Sequence, residues 1–345
     1  DVKNPEEIYL YMGEAYFQKK NYKTALEYFD KYIAMGGKMN NSASYRYGFA
    51  QYKNEKYNLA VDQFKKVAET NDTLGQLASY YYGQSLIKLK NKAFAFNAFH
   101  QARKMEFLPY IAAQSSIDYG KLGLELEKYT EVIEAMKDFT KRFPDHEEIQ
   151  TANGLLSESY LNTKDYNSAI KHIESIKGNK NNTVTKAYQH VTFYRGVELF
   201  NEENYKEAIT MFEKSTQNDV DRDFNFLATF WLAEALSAVE RYTDAIPNYV
   251  KVNKSSSRVP KEIAARNNYG LGYAYYNTRD YAKALGEFRE YSQEAKYVNS
   301  KEMECDAWLR LGDCYLATKK FNEAAIAYDK AILINCAAPD YAYLQ

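Results

Sequence analysis

Four histidines and three cysteines are the residues here best suited to metal binding or nucleophilic chemistry, and their settings favour neither. His146 opens the run His146-Glu147-Glu148-Ile149-Gln150, which fails the zinc-helix spacing because its fifth residue is Gln. His172 precedes Ile173 and reads as a solvated or edge residue, and His100 and His190 join no motif. Cys305, Cys314 and Cys336 are odd in number, crowd one end and form no CxxC pair, so they read as small apolar residues packed between helices. Gly270-Leu271-Gly272 lacks the third glycine of a dinucleotide loop, and no phosphate-binding Gly-x4-Gly-Lys-Ser/Thr occurs. No serine is framed as a nucleophile elbow. The acidic pairs Glu6-Glu7, Glu147-Glu148 and Glu202-Glu203 are expected at helix starts, where they favour the helix dipole. The expectation is a chain with no catalytic residue, no metal site and no cofactor.

The chemistry left is that of aromatic surfaces. The chain has 34 Tyr and 18 Phe in 345 residues, but only six Pro and 15 Gly. Tyr and Phe offer large contact area for little lost conformational entropy, which suits binding. Charge adds no long-range steering: 45 Lys+Arg against 46 Asp+Glu leave −1, which argues against nucleic acid or an anionic membrane as partner. Hydrophobic residues form 46% of the chain, enough for a continuous core. No apolar run approaches the ~20 residues of a membrane span. Length alone would suggest two or three ordinary domains, but a repeat array escapes that rule.

A repeat is present. A small residue is followed twelve positions later by a second small or modest one, nine times. The pairs are Gly13 and Ala25, Gly48 and Ala60, Gly83 and Ala95, Gly120 and Val132, Ser157 and Ala169, Gly196 and Ala208, Ala233 and Ala245, Gly272 and Ala284, Gly312 and Ala324. Three residues before the second member stands an aromatic in eight units: Tyr22, Tyr57, Tyr129, Tyr166, Tyr205, Tyr242, Tyr281 and Phe321, with Lys92 in the third. Four residues after it comes a large apolar side chain: Phe29, Phe64, Phe99, Met136, Ile173, Phe212, Tyr249, Phe288 or Tyr328. Spacings of three and four mark one face of a helix. Each unit therefore reads as two antiparallel helices joined by a polar turn such as Lys20-Asn21 or Thr278-Arg279-Asp280, with small residues where the helices cross most closely. The unit-to-unit distance grows from 35 to 40 residues, so extra length belongs to loops, expected at Lys177–Thr185 and Asn253–Pro260. Pro247 should kink the second helix of the seventh unit or delay its start.

This pattern resembles the tetratricopeptide repeat, whose consensus is Trp-x2-Leu-Gly-x2-Tyr followed by Ala, Phe and Ala in the second helix. The ninth unit carries Trp308, Leu311, Gly312, Tyr315, Ala324, Tyr328 and Ala331; the first carries Tyr9, Met12, Gly13, Tyr16, Ala25 and Phe29. The resemblance implies an all-α, right-handed superhelical solenoid of about nine helix pairs. The units are expected near 6–40, 41–75, 76–112, 113–149, 150–188, 189–225, 226–264, 265–304 and 305–338, with 339–345 opening a tenth and the natural protein continuing beyond it. Nine units stacked at roughly 10 Å would give a path on the order of 90 Å, suited to an extended segment.

In this family the first helices line the concave side, with inward positions three before, one after and four after the first small residue. Those positions hold Tyr45, Tyr80, Phe193, Phe230 and Tyr269; then Phe49, Gln84, Glu158, Glu234 and Tyr273; then Phe17, Tyr52, Phe200 and Tyr276. The expected function is a non-catalytic scaffold holding a protein or peptide segment in an aromatic groove. The alternatives are a regulatory arm of a signalling protein and an accessory domain of an enzyme. The family's Lys, Asn and Arg clamp for a terminal carboxylate is absent, since Leu10, Glu14, Tyr45 and Phe49 stand there. RNA reading is not expected, because the groove positions are aromatic and mixed rather than basic. The Lys-, Asn- and Tyr-rich composition resembles bacterial members, particularly from Bacteroidetes, many of them exported, which favours a periplasmic or outer-membrane setting over the cytoplasm.

Overall fold

The computed structural model describes residues 5–254 and 259–334. Among these, the chain forms eighteen α-helices and one short 3-10 turn, and no strand. The first four helices are α1 (Pro5–Gln18), α2 (Tyr22–Ala34), α3 (Asn41–Lys53) and α4 (Tyr57–Ala68). The next five are α5 (Thr73–Lys88), α6 (Lys92–Lys104), α7 (Pro109–Glu125), α8 (Tyr129–Arg142) and α9 (Ile149–Asn162). Then follow α10 (Tyr166–Ser175), α11 (Asn182–Asn201), α12 (Tyr205–Thr216), α13 (Arg222–Ala238) and α14 (Tyr242–Asn253). The last four are α15 (Lys261–Asn277), α16 (Tyr281–Glu294), α17 (Lys301–Ala317) and α18 (Phe321–Ile334). The segment 339–345 and Cys336 lie outside the described residues.

Each even-numbered helix begins at the recurrent aromatic position, Lys92 included. Two residues earlier the backbone turns left-handed each time, with φ between 57° and 64°, at Lys20, Glu55, Lys90, Glu127, Lys164, Glu203, Glu240, Arg279 and Lys319. The following residue then returns its N–H to a carbonyl five positions back, as in Asn21 to Tyr16 at 2.9 Å and Asn91 to Leu86 at 2.8 Å. This is the Schellman closure of a helix, made here without glycine. Several odd-numbered helices start on side-chain caps: Asn40 accepts from Ala43 N, Asp72 from Gly75 N, Asn181 from Val184 N and Ser300 from Met303 N. In α7 the first residue is Pro109, whose missing N–H costs nothing there.

The small residues of both helices are buried. Ala25, Ala60, Ala95, Val132, Ala169, Ala208, Ala245 and Ala284 are inaccessible, and Ala324 nearly so. Gly13, Gly48, Gly83, Gly120, Gly196, Gly272 and Gly312 are buried as well. The glycines, however, face a partner other than the small residue twelve positions on. A Cβ on Gly13 would meet the Phe29 ring at 2.6 Å, on Gly83 Phe99 at 2.7 Å, on Gly196 Phe212 at 2.6 Å and on Gly312 Tyr328 at 2.4 Å. The glycine is a socket for the ring sixteen residues later, so ring and socket form one contact across the pair.

Some sequence expectations shift. Glu202 closes α11 and Glu203 is the left-handed turn residue, so this acidic pair ends a helix rather than starting one. The loop expected at Lys177–Thr185 is shorter, because α11 already begins at Asn182. Pro247 lies inside α14 without delaying its start at Tyr242. Cys314 is a buried free thiol, but Cys305 is disulfide-bonded, which differs from the packing role read for all three cysteines.

By contacts the chain divides into two compact units, Asp1–Asp165 and Tyr166–Gln345. Within the first, α1, α3, α5, α7 and α9 pack on one another in order, as do α11, α13, α15 and α17 in the second. Buried glutamines tie successive pairs. Gln76 donates to Met105 O at 2.8 Å and accepts from Leu108 N at 2.7 Å; Gln189 donates to Asp221 O at 2.9 Å and accepts from Asp221 N at 2.8 Å. Each clamps the loop 32 residues ahead and fixes where the next odd-numbered helix begins.

Candidate functional site: an aromatic face on the odd-numbered helices

In Asp1–Asp165 the odd-numbered helices carry a connected row of rings. Phe17 of α1 meets Phe49 of α3 at 5.7 Å between centroids, and Tyr22 meets Phe49 at 5.3 Å. Tyr81 of α5 then gathers Phe49 at 4.8 Å, Tyr52 at 5.6 Å, Tyr45 at 6.4 Å and Tyr80 at 5.2 Å. Most contacts are edge-on or tilted, the arrangement the ring quadrupole prefers. The rings are half-buried. Tyr45, Phe49, Tyr52 and Tyr81 pack against the core of Phe64, Val67 and Ala78 and keep part of their surface open. Tyr110, at the start of α7, is 62% exposed.

Burial raises the pKa of the Tyr45, Tyr52, Tyr80 and Tyr81 phenols, and Asp118 pushes Tyr80 further the same way. They therefore stay protonated at neutral pH. Among the described residues the hydroxyls of Tyr45, Tyr52 and Tyr81 have no hydrogen-bond partner, so they are free to donate to a ligand. At one end of the row Arg46 pairs with Glu14. At the other, Gln84 Nε2 donates to Tyr80 Oη at 3.1 Å and to Asp118 Oδ2 at 2.7 Å.

The second unit is different. Phe193 and Phe230 are only 6% and 3% exposed and belong to its core, so burial removes both from the open face expected of them. Phe200 is half-buried between Tyr205 at 5.1 Å and Trp231 at 5.0 Å. Tyr269, Tyr273 and Tyr276 spend their hydroxyls internally. Tyr269 donates to Asp306 Oδ2 at 2.9 Å, Tyr273 donates to the same oxygen, and Tyr276 donates to Asp313 at 3.2 Å. Arg310 bridges the two carboxylates, at 2.8 Å from Asp313 and 3.4 Å from Asp306. The carboxyl of Glu234 is raised in pKa by burial and receives the Tyr249 hydroxyl at 2.5 Å, whereas Glu158 is exposed.

The residues missed by sequence reasoning share one signal. Tyr81, Asp118 and Arg310 each stand two positions before the first small residue, as do Tyr11, Arg46 and Trp231. At 3.6 residues per turn this position lies about 60° beside the stripe used above, which makes the face wider than three register positions. The histidines do not converge: His190 pairs with Asp221 at 3.1 Å and stacks on Phe224, while His146 Nδ1 accepts from Glu148 N. Among the described residues no group of three or more His, Cys, Asp or Glu could hold a metal ion, and no helix is long and apolar enough to cross a membrane.

Two models of the tetratricopeptide repeat match the chain, one over residues 7–34 and one over residues 305–337. No curated protein matches it. Among solved structures, the Naa15/Naa10 complex bound to HypK-THB is similar over 97% of this chain at 15% identity and a TM-score of 0.48, and this chain covers 64% of that one. The TPR2AB domain of yeast Sti1, in complex with pHSP90, is similar over 81% of this chain and 98% of its own, at 17% identity and TM-score 0.41. YrrB, a TPR protein with an unusual peptide-binding site, is similar over 61% of this chain and 97% of its own, at 16% identity and TM-score 0.42. With repeats matched at 7–34 and 305–337 and eighteen helices among the described residues in alternating register, the chain carries tetratricopeptide repeats in an all-α, TPR-like fold.

Proposed function

We propose that the chain is a non-catalytic protein-interaction scaffold that binds an extended peptide segment along the aromatic face of α1, α3, α5 and α7. The observation carrying this reading is the row of half-buried rings around Tyr81, in which the hydroxyls of Tyr45, Tyr52 and Tyr81 have no hydrogen-bond partner among the described residues. Ring faces held against a core lose little entropy when a segment covers them. An extended segment exposes backbone carbonyls at regular spacing, and the phenol hydroxyls are suited to donate to them. The internal network around Arg310 leaves the tyrosines of the second unit fewer donors to offer, so the first unit is the primary surface.

The test is selection of phage-displayed random peptides on the purified chain, with affinities of synthetic copies measured by fluorescence anisotropy. Tyr52→Ser with Tyr81→Ser should weaken binding tenfold or more, while Leu59→Ser, at a residue 49% exposed on α4, should leave it unchanged. Peptides that bind the double variant as tightly as the parent chain would refute this reading.

A further inference from the structure

The ring row ends at a carboxylate that no basic group approaches within 4 Å among the described residues, although the exposed Lys121 acts on it from farther off. Asp118, on α7, is half-buried and forms no ion pair within 4 Å among the described residues, while Arg46, at the other end of the row, is paired with Glu14. Its two oxygens are held by amides: Gln84 Nε2 donates to Oδ2 at 2.7 Å and Gln114 Nε2 donates to Oδ1 at 3.3 Å. An ionised carboxylate has about four acceptor sites, so two remain open. They border a cavity of about 280 Å³ whose apolar walls include Ile87, Phe99 and Leu122. Lys92, Lys121 and Glu125 also line it, but all three are exposed, and Lys92 is already paired with Glu125 at 2.7 Å.

This combination fits one kind of side chain. Apolar walls accept an aliphatic stem, and a fixed carboxylate beyond them accepts a cationic tip; lysine and arginine have that composition. The charge-assisted bond would form where water is partly excluded, so it would be stronger than an exposed pair. Resting on the reading of the aromatic face given above, we propose that Asp118 and its cavity form a subsite for a lysine or arginine of the bound segment. The segment's apolar or aromatic residues then lie across Tyr45, Phe49, Tyr52 and Tyr81, and its basic residue follows past Tyr80. Gln84 couples the two parts, since its one amide touches both the Tyr80 hydroxyl and the Asp118 carboxylate.

The same random-peptide library is the probe, panned separately on the parent chain and on Asp118→Asn. Circular dichroism checks that the variant keeps its helix content. Peptides from the parent chain should share a Lys or Arg at one position relative to their apolar residues, and peptides from Asp118→Asn should not. A parent-selected peptide should lose roughly tenfold or more in affinity for Asp118→Asn. Its analogue with norleucine in place of the basic residue should bind both proteins alike. Peptides that depend on Tyr52 and Tyr81 but show no basic residue, or bind Asp118→Asn unchanged, would overturn the subsite and leave the aromatic face standing. Binding that ignores Tyr52 and Tyr81 would overturn both.

Discussion

A methyl group on Gly83 would sit 2.7 Å from the Phe99 ring, inside van der Waals contact, with the ring inaccessible to solvent. Gly83→Ala should therefore destabilise the chain by about 1–3 kcal/mol, as overpacking of a tight core does. Gly286, inside α16, has nothing within 4 Å of a built Cβ, so Gly286→Ala should stabilise by about 0.5–1 kcal/mol. Urea unfolding of the two variants measures both, and opposite signs are the expected result. The glycines were legible in the sequence as a pattern, but their role was not. Spacing identifies positions on one face; it does not say that the socket's occupant is sixteen residues on rather than twelve. Asp118 was missed for a related reason. Its place two positions before Gly120 marks a register but not a role, and only the packing of α5 against α7 brings Gln84 to it. Burial raises the pKa of Asp118, so its ionised form is disfavoured by folding. The native chain then binds the proton more readily than the unfolded one, and this group's penalty is present at neutral pH and relieved as pH falls through its raised value. Asp118→Asn should raise the melting temperature at pH 7, with the gain shrinking toward acid pH. A gain that grows on acidification would contradict this.

The turns within pairs are the most regular element of the chain. Nine left-handed residues, all Lys, Glu or Arg, close nine helices by the same hydrogen-bond pattern. A side chain in that conformation is strained by about 1–2 kcal/mol, partly offset by glycine's larger entropy when unfolded. Lys90→Gly should therefore stabilise by about 0.5 kcal/mol, whereas Lys88→Gly, in the last turn of α5, should destabilise by up to about 1 kcal/mol. Thermal unfolding of the pair reads this out. Sequence gave no sign of the strain, because turn composition announces a polar connection and not its φ angles. It did mark eight of the nine even-numbered helix starts, since the aromatic beside those turns is fixed in register with the buried small residue three positions later; at α6 Lys92 stands in its place. The limits of α11 were misjudged because Asn182, Thr183 and Thr185 look like loop residues, while Asn181 caps a helix that runs through them.

At the scale of the molecule, stability is expected to be a sum of local terms, because each odd-numbered helix touches mainly its neighbours in sequence. Loosening by Gly83→Ala should then raise hydrogen exchange in α5, α6 and α7 and leave α16 to α18 at parental rates. Uniform loss of protection would show a single cooperative core instead. The all-α repeat architecture could be read from the sequence because it is written nine times. The open face could not be read as well. Which rings are covered depends on neighbouring helices: Phe193 and Phe230 occupy the same register as Tyr45 and Tyr80, yet the second unit buries them.

The most direct measurement is a crystal structure of the chain with its tightest selected peptide. The account predicts an extended segment across Phe49, Tyr52 and Tyr81, with phenol hydroxyls donating to its carbonyls. A peptide seated instead on the even-numbered helices, with those rings uncovered, would contradict it.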